Sequence, residues 1–316
     1  MSGFAYVVKD GKVSAPDLKE ALGQPGSLVW IHLTTTNDHA KSWLGDEAEL
    51  TPYVTEALTA AETRPRCDPV GDGAVINLRG LSSEELATSD LLASIRMYAH
   101  SGTVFSVTRK QLNALQPVRE QIEAGKILDP GDLIAALAQE ITEELDPVVA
   151  QLGDDLDDCE ESIAAHQAFE LRRKVNKTRT TAIAYRRFLA PQRAALEKLA
   201  ALPGEWLRDD DRLHLNSAAD RAARMAEELE AIRERAALIH ETLTDLRAEL
   251  IDQRSLIIAI AAMVFLPLTF ITGLLGMNVD GIPYAHEPWA FDAVFWFCVV
   301  IAVVVTGYFV RRHWFR

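Results

Sequence analysis

Residues 255–279 read SLIIAIAAMVFLPLTFITGLLGMNV, and residues 293–310 read AVFWFCVVIAVVVTGYFV. Neither run holds a charged side chain. The first has 25 residues, enough to cross a hydrocarbon layer about 30 Å thick at ~1.5 Å rise per residue. The second has 18, or 20 when Phe291 and Asp292 at its edge are counted. Everything before Ser255 is rich in charge and reads as water-soluble. The runs therefore predict a C-terminal membrane hairpin, with spans at 255–275 and 291–310, joined to a large water-facing body. Two buried core helices would be the alternative, and the length and flanking charges argue against it.

Working outward, the flanks give an orientation. Arg247 and Arg254 precede the first run, and Arg311, Arg312 and Arg316 follow the second. The connector between the runs has no Lys or Arg but carries Asp280, Glu287 and Asp292. Positive charge stays on the cytoplasmic side, so both termini are expected there, with residues 276–290 outside and a basic tail at 311–316 inside. Trp289, Trp296, Tyr308 and Trp314 lie near the span ends, where amphipathic rings favour the interface. Met1–Asp10 lacks a basic start followed by an apolar stretch, so no cleaved signal is expected.

The chain of 316 residues carries 46 acidic and 32 basic side chains. Ahead of Ser255 the numbers are 43 and 29, so the water-facing part alone holds the net charge of −14. Such a body repels nucleic acid and attracts cations. Cys67, Cys159 and Cys298 are scattered and odd in number, which fits a reduced cytosolic body without a disulfide framework or a cysteine zinc cluster.

The first ~110 residues read as α/β. Short β-branched or aromatic runs at Phe4–Val8, Leu28–Leu33, Ala74–Leu78, Ile95–Ala99 and Thr103–Thr108 predict strands. Helical stretches at Asn37–Ala48 and Thr51–Glu62 and turn signals at Asp10-Gly11 and Gly71-Asp72-Gly73 separate them. From Asn113 strand signals vanish, and Asp132–His166 and Gln167–Leu202 read as two long charged helices. Pro203-Gly204 ends the second, and Asp209-Asp210-Asp211 suits the N-terminus of a third. That third helix carries an apolar stripe through Leu215, Ala218, Ala222, Met225, Leu229, Ile232, Ala236, Ile239, Leu243, Leu246 and Leu250. No Gly or Pro interrupts 205–266, so the helix is expected to run unbroken into the membrane. Over 212–275 it would measure roughly 96 Å, too long for its own body to cover, so part of the stripe is expected to meet copies of itself.

The first span ends in Pro267-Leu268-Thr269-Phe270-Ile271-Thr272-Gly273-Leu274-Leu275-Gly276-Met277-Asn278. Pro267 removes a backbone donor and frees a carbonyl near Met263. Gly273 and Gly276 permit close approach or a sharp turn. Asn278 offers a neutral oxygen at the outer mouth. One amide is a poor cation site, whereas a ring of them from several chains could hold a hydrated divalent ion through its waters. A packing kink with a helix cap is the other reading of the same residues.

Gly276-Met277-Asn278, the upstream Pro267-Leu268-Thr269-Phe270-Ile271 and the order of parts along the chain resemble the CorA superfamily of divalent-cation transporters. The resemblance implies an α+β membrane protein with an N-terminal α/β/α cytoplasmic domain (1–204) and a very long stalk helix (cytoplasmic part 205–254). The stalk would continue into the first of two C-terminal transmembrane helices, and the chains would assemble as a funnel-shaped homopentamer. It implies a pore face of Ser255, Ile258, Ala262, Leu266, Thr269, Gly273 and the Gly276-Met277-Asn278 ring. The steps of three and four place the helical members on one side of a helix. Thr269 would offer hydroxyls, and Ile258 and Leu266 would be apolar constrictions able to gate by dewetting.

After the signature comes Val279-Asp280-Gly281-Ile282-Pro283, which looks like the ZntB-type branch of bacterial zinc transporters. His286 in the connector suits zinc better than magnesium. Asp280, Glu287 and His286 would raise the local cation concentration at the mouth. Asp154, Asp157, Asp158 and Glu161 share a helix face and are a candidate regulatory cation site, beside the reading as a solvated acidic face. The basic run Arg172, Arg173, Lys174, Lys177, Arg179, Arg186 and Arg187 could pair with that face.

No phosphate-binding Gly loop, zinc-hydrolase pair or nucleophile elbow is present, so no enzyme activity and no cofactor are expected. The sequence reading is therefore a transporter of Zn2+, with Cd2+, Ni2+ or Co2+ as further cargo, in a bacterial inner membrane. It would be gradient-driven, with proton coupling suggested by the branch, and its partners would be lipid, divalent cations and copies of itself. An Mg2+/Co2+ channel of the same fold is the nearest alternative, and a membrane-anchored signalling or scaffold protein a distant one.

Overall fold

The computed structural model describes residues 2–34, 39–61, 64–84, 91–163, 168–277, 281–282, 284 and 286–314. Strands β1 (Ser2–Lys9) and β2 (Lys12–Ser14) form a hairpin. Its turn is Asp10-Gly11, with φ of 51° and 72°, the left-handed pair that matches strand twist in a two-residue hairpin. A short helix α1 (Leu18–Ala21), β3 (Leu28–Thr34), a turn of helix α2 (His39–Ser42) and a π-turn (Trp43–Glu47) follow. Helix α3 (Pro52–Thr59) starts with Pro52 at its first position, and the Thr51 hydroxyl accepts from Val54 N. Strands β4 (Arg66–Val70), β5 (Gly73–Gly80), β6 (Ala93–His100) and β7 (Thr103–Thr108) complete the sheet.

The seven strands run in the order β2-β1-β3-β7-β6-β5-β4. All neighbours are antiparallel except the central pair β3 and β7. All five predicted strands are present. The two the sequence did not signal, β2 and β4, are the two sheet edges. Of their side chains only that of Cys67 is buried, and β4 contains Pro69, which an edge tolerates and an interior strand does not.

Alternation along the strands builds two buried faces. On one, Ala5, Val7, Val29, Ile31, Leu33, Val75, Phe105 and Val107 pack with Trp43, Leu44, Val54 and Leu58. The opposite face lies toward helices α4 (Leu115–Glu123) and α5 (Pro130–Glu161), of which α5 approaches β3 and β5. The result is the expected α/β/α layering. Helices α6 (Ala168–Ala200) and α7 (Asp209–Leu275) continue this layer. Gln192 Oε1 on α6 accepts from the backbone N–H of Arg79 on β5 at 2.7 Å, and the Arg79 guanidinium lies 4.1 Å from the Phe188 ring centroid.

Asp209 begins α7, as its run of three acids predicts. Most of the apolar stripe of α7 is covered within the chain itself. From Leu215 to Ile239 every member is buried, none more than 4 % exposed. Coverage comes from within one chain, because α5, α6 and α7 form a side-by-side bundle. Arg235 on α7 pairs with Asp157 and Glu160 on α5, and Arg186 on α6 pairs with Glu230 on α7. Only the members beyond Leu243 lose this cover, since Leu246 and Leu250 are half-buried.

Contacts divide the chain into two units. One holds Met1–Ile163 and Phe169–His240; the other holds Ala164–Ala168 and Glu241–Arg316, so the division falls inside α7. The second unit contains the remainder of α7 and helix α8 (Ala290–Trp314).

Candidate functional site

Within the second unit, α7 and α8 are both long and apolar enough to cross a membrane. No residue of their most apolar windows is fully buried within the chain, which argues against the buried-core alternative. The α7 segment has two distinct sides. Leu256, Ile260, Val264, Pro267, Leu268 and Ile271 are half-buried. Ser255, Ile258, Ala262, Leu266, Thr269 and Gly273 are exposed, Ile258 at 70 % and Leu266 at 73 %. At roughly 100° per residue the two sets lie about half a turn apart. Helix α8 has its own half-buried stripe at Val294, Cys298, Ala302, Val305 and Phe309. The Ser255–Gly273 face of α7 is left open.

The outer end of α7 is shaped by three residues. Pro267 sits inside the helix and contributes no N–H to the ladder. One turn on, the Thr272 hydroxyl donates to the carbonyls of Leu268 at 2.9 Å and Thr269 at 3.2 Å. Gly276 N donates to Thr272 O at 2.9 Å and closes the last turn. A Cβ on Gly276 would stand 2.8 Å from that same carbonyl, so glycine is required where the helix stops. Met277 follows, 47 % exposed. Asn278 and Asp280 lie outside the described residues. His286 and Glu287 are exposed in the connector, where Glu287 N donates to Tyr284 O at 3.1 Å.

The acidic face proposed on α5 is engaged by cations of its own chain. Asp157 pairs with Arg235, and Asp158 with Lys174 from the predicted basic run. Asp155 also meets Lys174. Asp154 and Glu161 are exposed on the same helix. Among the described residues, the acids that do converge are Asp129, Asp132 and Asp211, whose oxygens lie within 4.8 Å of one another. This grouping was missed because it joins residues far apart in sequence. Its local signals were visible, though: an Asp before Pro130, and the acidic start of α7.

The geometry there is helix capping. Asp129 Oδ1 accepts from Asp132 N at 2.9 Å, Asp132 Oδ2 from Leu128 N at 2.9 Å, and Asp211 Oδ2 from Arg208 N at 2.8 Å. These bonds satisfy orphan amides at the starts of α5 and α7. Arg208 Nη1 lies 2.7 Å from Asp129 Oδ2. Burial raises the Asp211 pKa to about 6, and Asp129 and Asp132 add to the rise against the Arg208 hydrogen bond.

Residues 25–312 match the family described as "CorA-like Mg2+ transporter protein". The chain belongs to this CorA-like family. Among relatives, the divalent cation transporter CmaX of Pseudomonas aeruginosa is 32 % identical over 285 residues, covering 89 % of this chain and 85 % of CmaX. The zinc transport protein ZntB of Yersinia enterocolitica is 29 % identical over 294 residues, covering 93 % of this chain and 88 % of ZntB. A solved structure of full-length CmaX superposes with a TM-score of 0.78 at 30 % identity, over 98 % of this chain and 97 % of that one. The CorA magnesium transporter from Methanocaldococcus jannaschii superposes with a TM-score of 0.81 over 99 % of this chain and 98 % of that one. At 19 % identity the latter establishes the fold alone. Membership in a family of ion transporters agrees with the reading of the chain as a non-enzyme.

Proposed function

We propose that this CorA-like protein carries Zn2+ across a bacterial inner membrane, with Cd2+, Ni2+ or Co2+ as further cargo. The observation that carries the reading is the open face of α7, with Thr269, Gly273 and two bulky apolar residues in one line, opposite its half-buried side. A lone hairpin cannot enclose water, so this face acts only when copies of the chain surround an axis. Five copies would bring the Ser255–Gly273 faces together as a pore wall, with Gly276-Met277-Asn278 as a ring at its mouth.

The ring supplies neutral amide oxygens that hold a hydrated dication through its waters. Ile258 and Leu266 form apolar collars that close by expelling water. Thr269 supplies hydroxyls between them and the mouth. Asp280, Glu287 and His286 concentrate cations outside, and both chain termini face the cytoplasm. Zinc is favoured over magnesium by the Val-Asp-Gly-Ile-Pro run at 279–283, by His286, and by relatives named as zinc transporters at 28–29 % identity.

The test is flux of Zn2+ and Mg2+ offered together to liposomes holding the purified protein. Zinc uptake outrunning magnesium at equal concentration, and loss of that preference in Asn278→Ala, is the expected result. Magnesium winning would make the protein a magnesium channel of the same fold. Vesicles impermeant to every dication would leave the hairpin as an anchor only. Repeating the uptake with and without a pH gradient tests proton coupling, which identical rates would exclude.

A further inference from the structure

The sheet face toward α4 has a polar end that the ion pathway does not use. Strand register aligns Thr34 with Thr108, His32 with Phe4 and Ser106, and Trp30 with Tyr6. These rows end at an open cavity of ≈ 450 Å³ lined by Phe4, His32, Thr34, Thr108, Gln111 and Arg119. Hydroxyls, an imidazole and a guanidinium meet there in the first unit.

Hydrogen bonds along these rows have a direction. Trp30 Nε1–H donates to Ser106 Oγ at 2.8 Å. Ser106 is wholly buried, so its hydroxyl hydrogen needs an acceptor, and His32 Nδ1 at 2.8 Å provides one. That fixes His32 as the Nε2–H tautomer, donating toward Thr108 Oγ1 at 3.3 Å and Thr34 Oγ1 at 3.4 Å. Burial, with the nearby Arg119 charge, keeps His32 neutral, its pKa lowered to about 3. Thr108, itself buried where it lines the cavity, then accepts from His32 through one lone pair and keeps its own O–H to donate.

Arg119 is held ready beside it. Its guanidinium lies 4.5 Å from the Phe4 ring centroid, and Nε donates to Tyr6 Oη at 3.1 Å. Tyr6 in turn donates to Glu123 Oε1 at 2.5 Å. One face and one edge of the guanidinium are thus pinned, while among the described residues Nη1 and Nη2 meet no hydrogen-bond acceptor or carboxylate. Glu84 at the lip is already satisfied by Lys110 Nζ at 3.0 Å and Gln111 N at 2.9 Å.

A pinned fork with a free edge, beside a hydroxyl that keeps its O–H to give, is complementary to an anion with two or more oxygens. We propose that this cavity binds a small oxyanion, a carboxylate or phosphate group seated on the Arg119 fork and the Thr108 hydroxyl.

Calorimetric titration of the full-length detergent-solubilised protein tests this, with inorganic phosphate in one arm and malonate in the other. Ionic strength is matched with sodium chloride. Saturable binding of either anion is expected, and the arm that saturates tells phosphate from carboxylate. Arg119→Met should weaken it roughly tenfold or more, and Arg119→Lys should recover only part, since an ammonium keeps the charge but not the fork. Thr108→Val, which keeps side-chain shape, should weaken binding with the fold intact by circular dichroism. Failure of both anions to bind, or binding by Thr108→Val and folded Arg119→Met equal to the parent protein, overturns the proposal.

Discussion

Arg212, at the fourth position of α7, donates to four backbone carbonyls. Nη1 reaches Ala200 O and Leu202 O, both at 2.6 Å, and Nη2 reaches Gly204 O and Leu207 O, both at 3.3 Å. These carbonyls belong to the end of α6 and the loop into α7, where helical partners run out. Arg212→Met leaves them unpaired and should cost about 2–3 kcal/mol, read as a lower melting temperature. Two buried titratable groups predict opposite pH slopes. The folded protein holds the His32 pKa down to about 3 from 6.5, so its contribution is full above pH 6.5 and lost progressively as pH falls toward 3. Asp211 is raised from 3.8 to about 6, so its contribution is full below pH 3.8 and lost as pH rises to 6. The two effects oppose each other across the shared window. Melting curves from pH 4 to 8 should therefore show Asp211→Asn more stable than the parent at pH 7–8, by on the order of 1 kcal/mol. Asp211→Asn should also lose stability more steeply on acidification, because the His32 slope is then unopposed.

At the scale of elements, the two candidate membrane helices make the sharper prediction. On the proposed assembly Leu266 forms an apolar collar, so Leu266→Asn should keep the gate wet and raise zinc leak into liposomes several-fold. Phe270→Asn, at an exposed position beside that line, should have no such effect. Gly276→Ala should abolish flux, because its Cβ meets the Thr272 carbonyl at the turn. The spans, the long helix and the five interior strands were readable because each obeys one period over many residues: uncharged runs, or alternation in a buried sheet. Helix α4 was not foreseen, being short. Edge strands β2 and β4 were hidden because an edge has little to bury. Hydrophobic spacing revealed the α7 stripe but not what covers it, since it encodes a packing surface and not the identity of the partner. Thr269 and Gly276 are proposed from position and motif. Arg119, His32 and Arg212 could not be picked out that way, because their partners are fixed by strand register and loop closure.

For the whole molecule, the proposed pore requires several chains around one axis. Light scattering on detergent-solubilised protein should give five times 34.9 kDa after correction for bound detergent. A strictly monomeric mass would remove the pore. The sheet carries a second molecule-wide consequence. Its two antiparallel ribbons, β2-β1-β3 and β7-β6-β5-β4, are joined only where β3 lies alongside β7. Thr34 is synthesised long before its neighbour Thr108 leaves the ribosome, so closing that join encloses a large loop of chain. Until then the nascent N-terminal ribbon exposes the bare rim of Val29, Ile31 and Leu33, a surface prone to pairing with the wrong strand. Chaperone demand during synthesis should therefore peak before translation reaches the membrane segments.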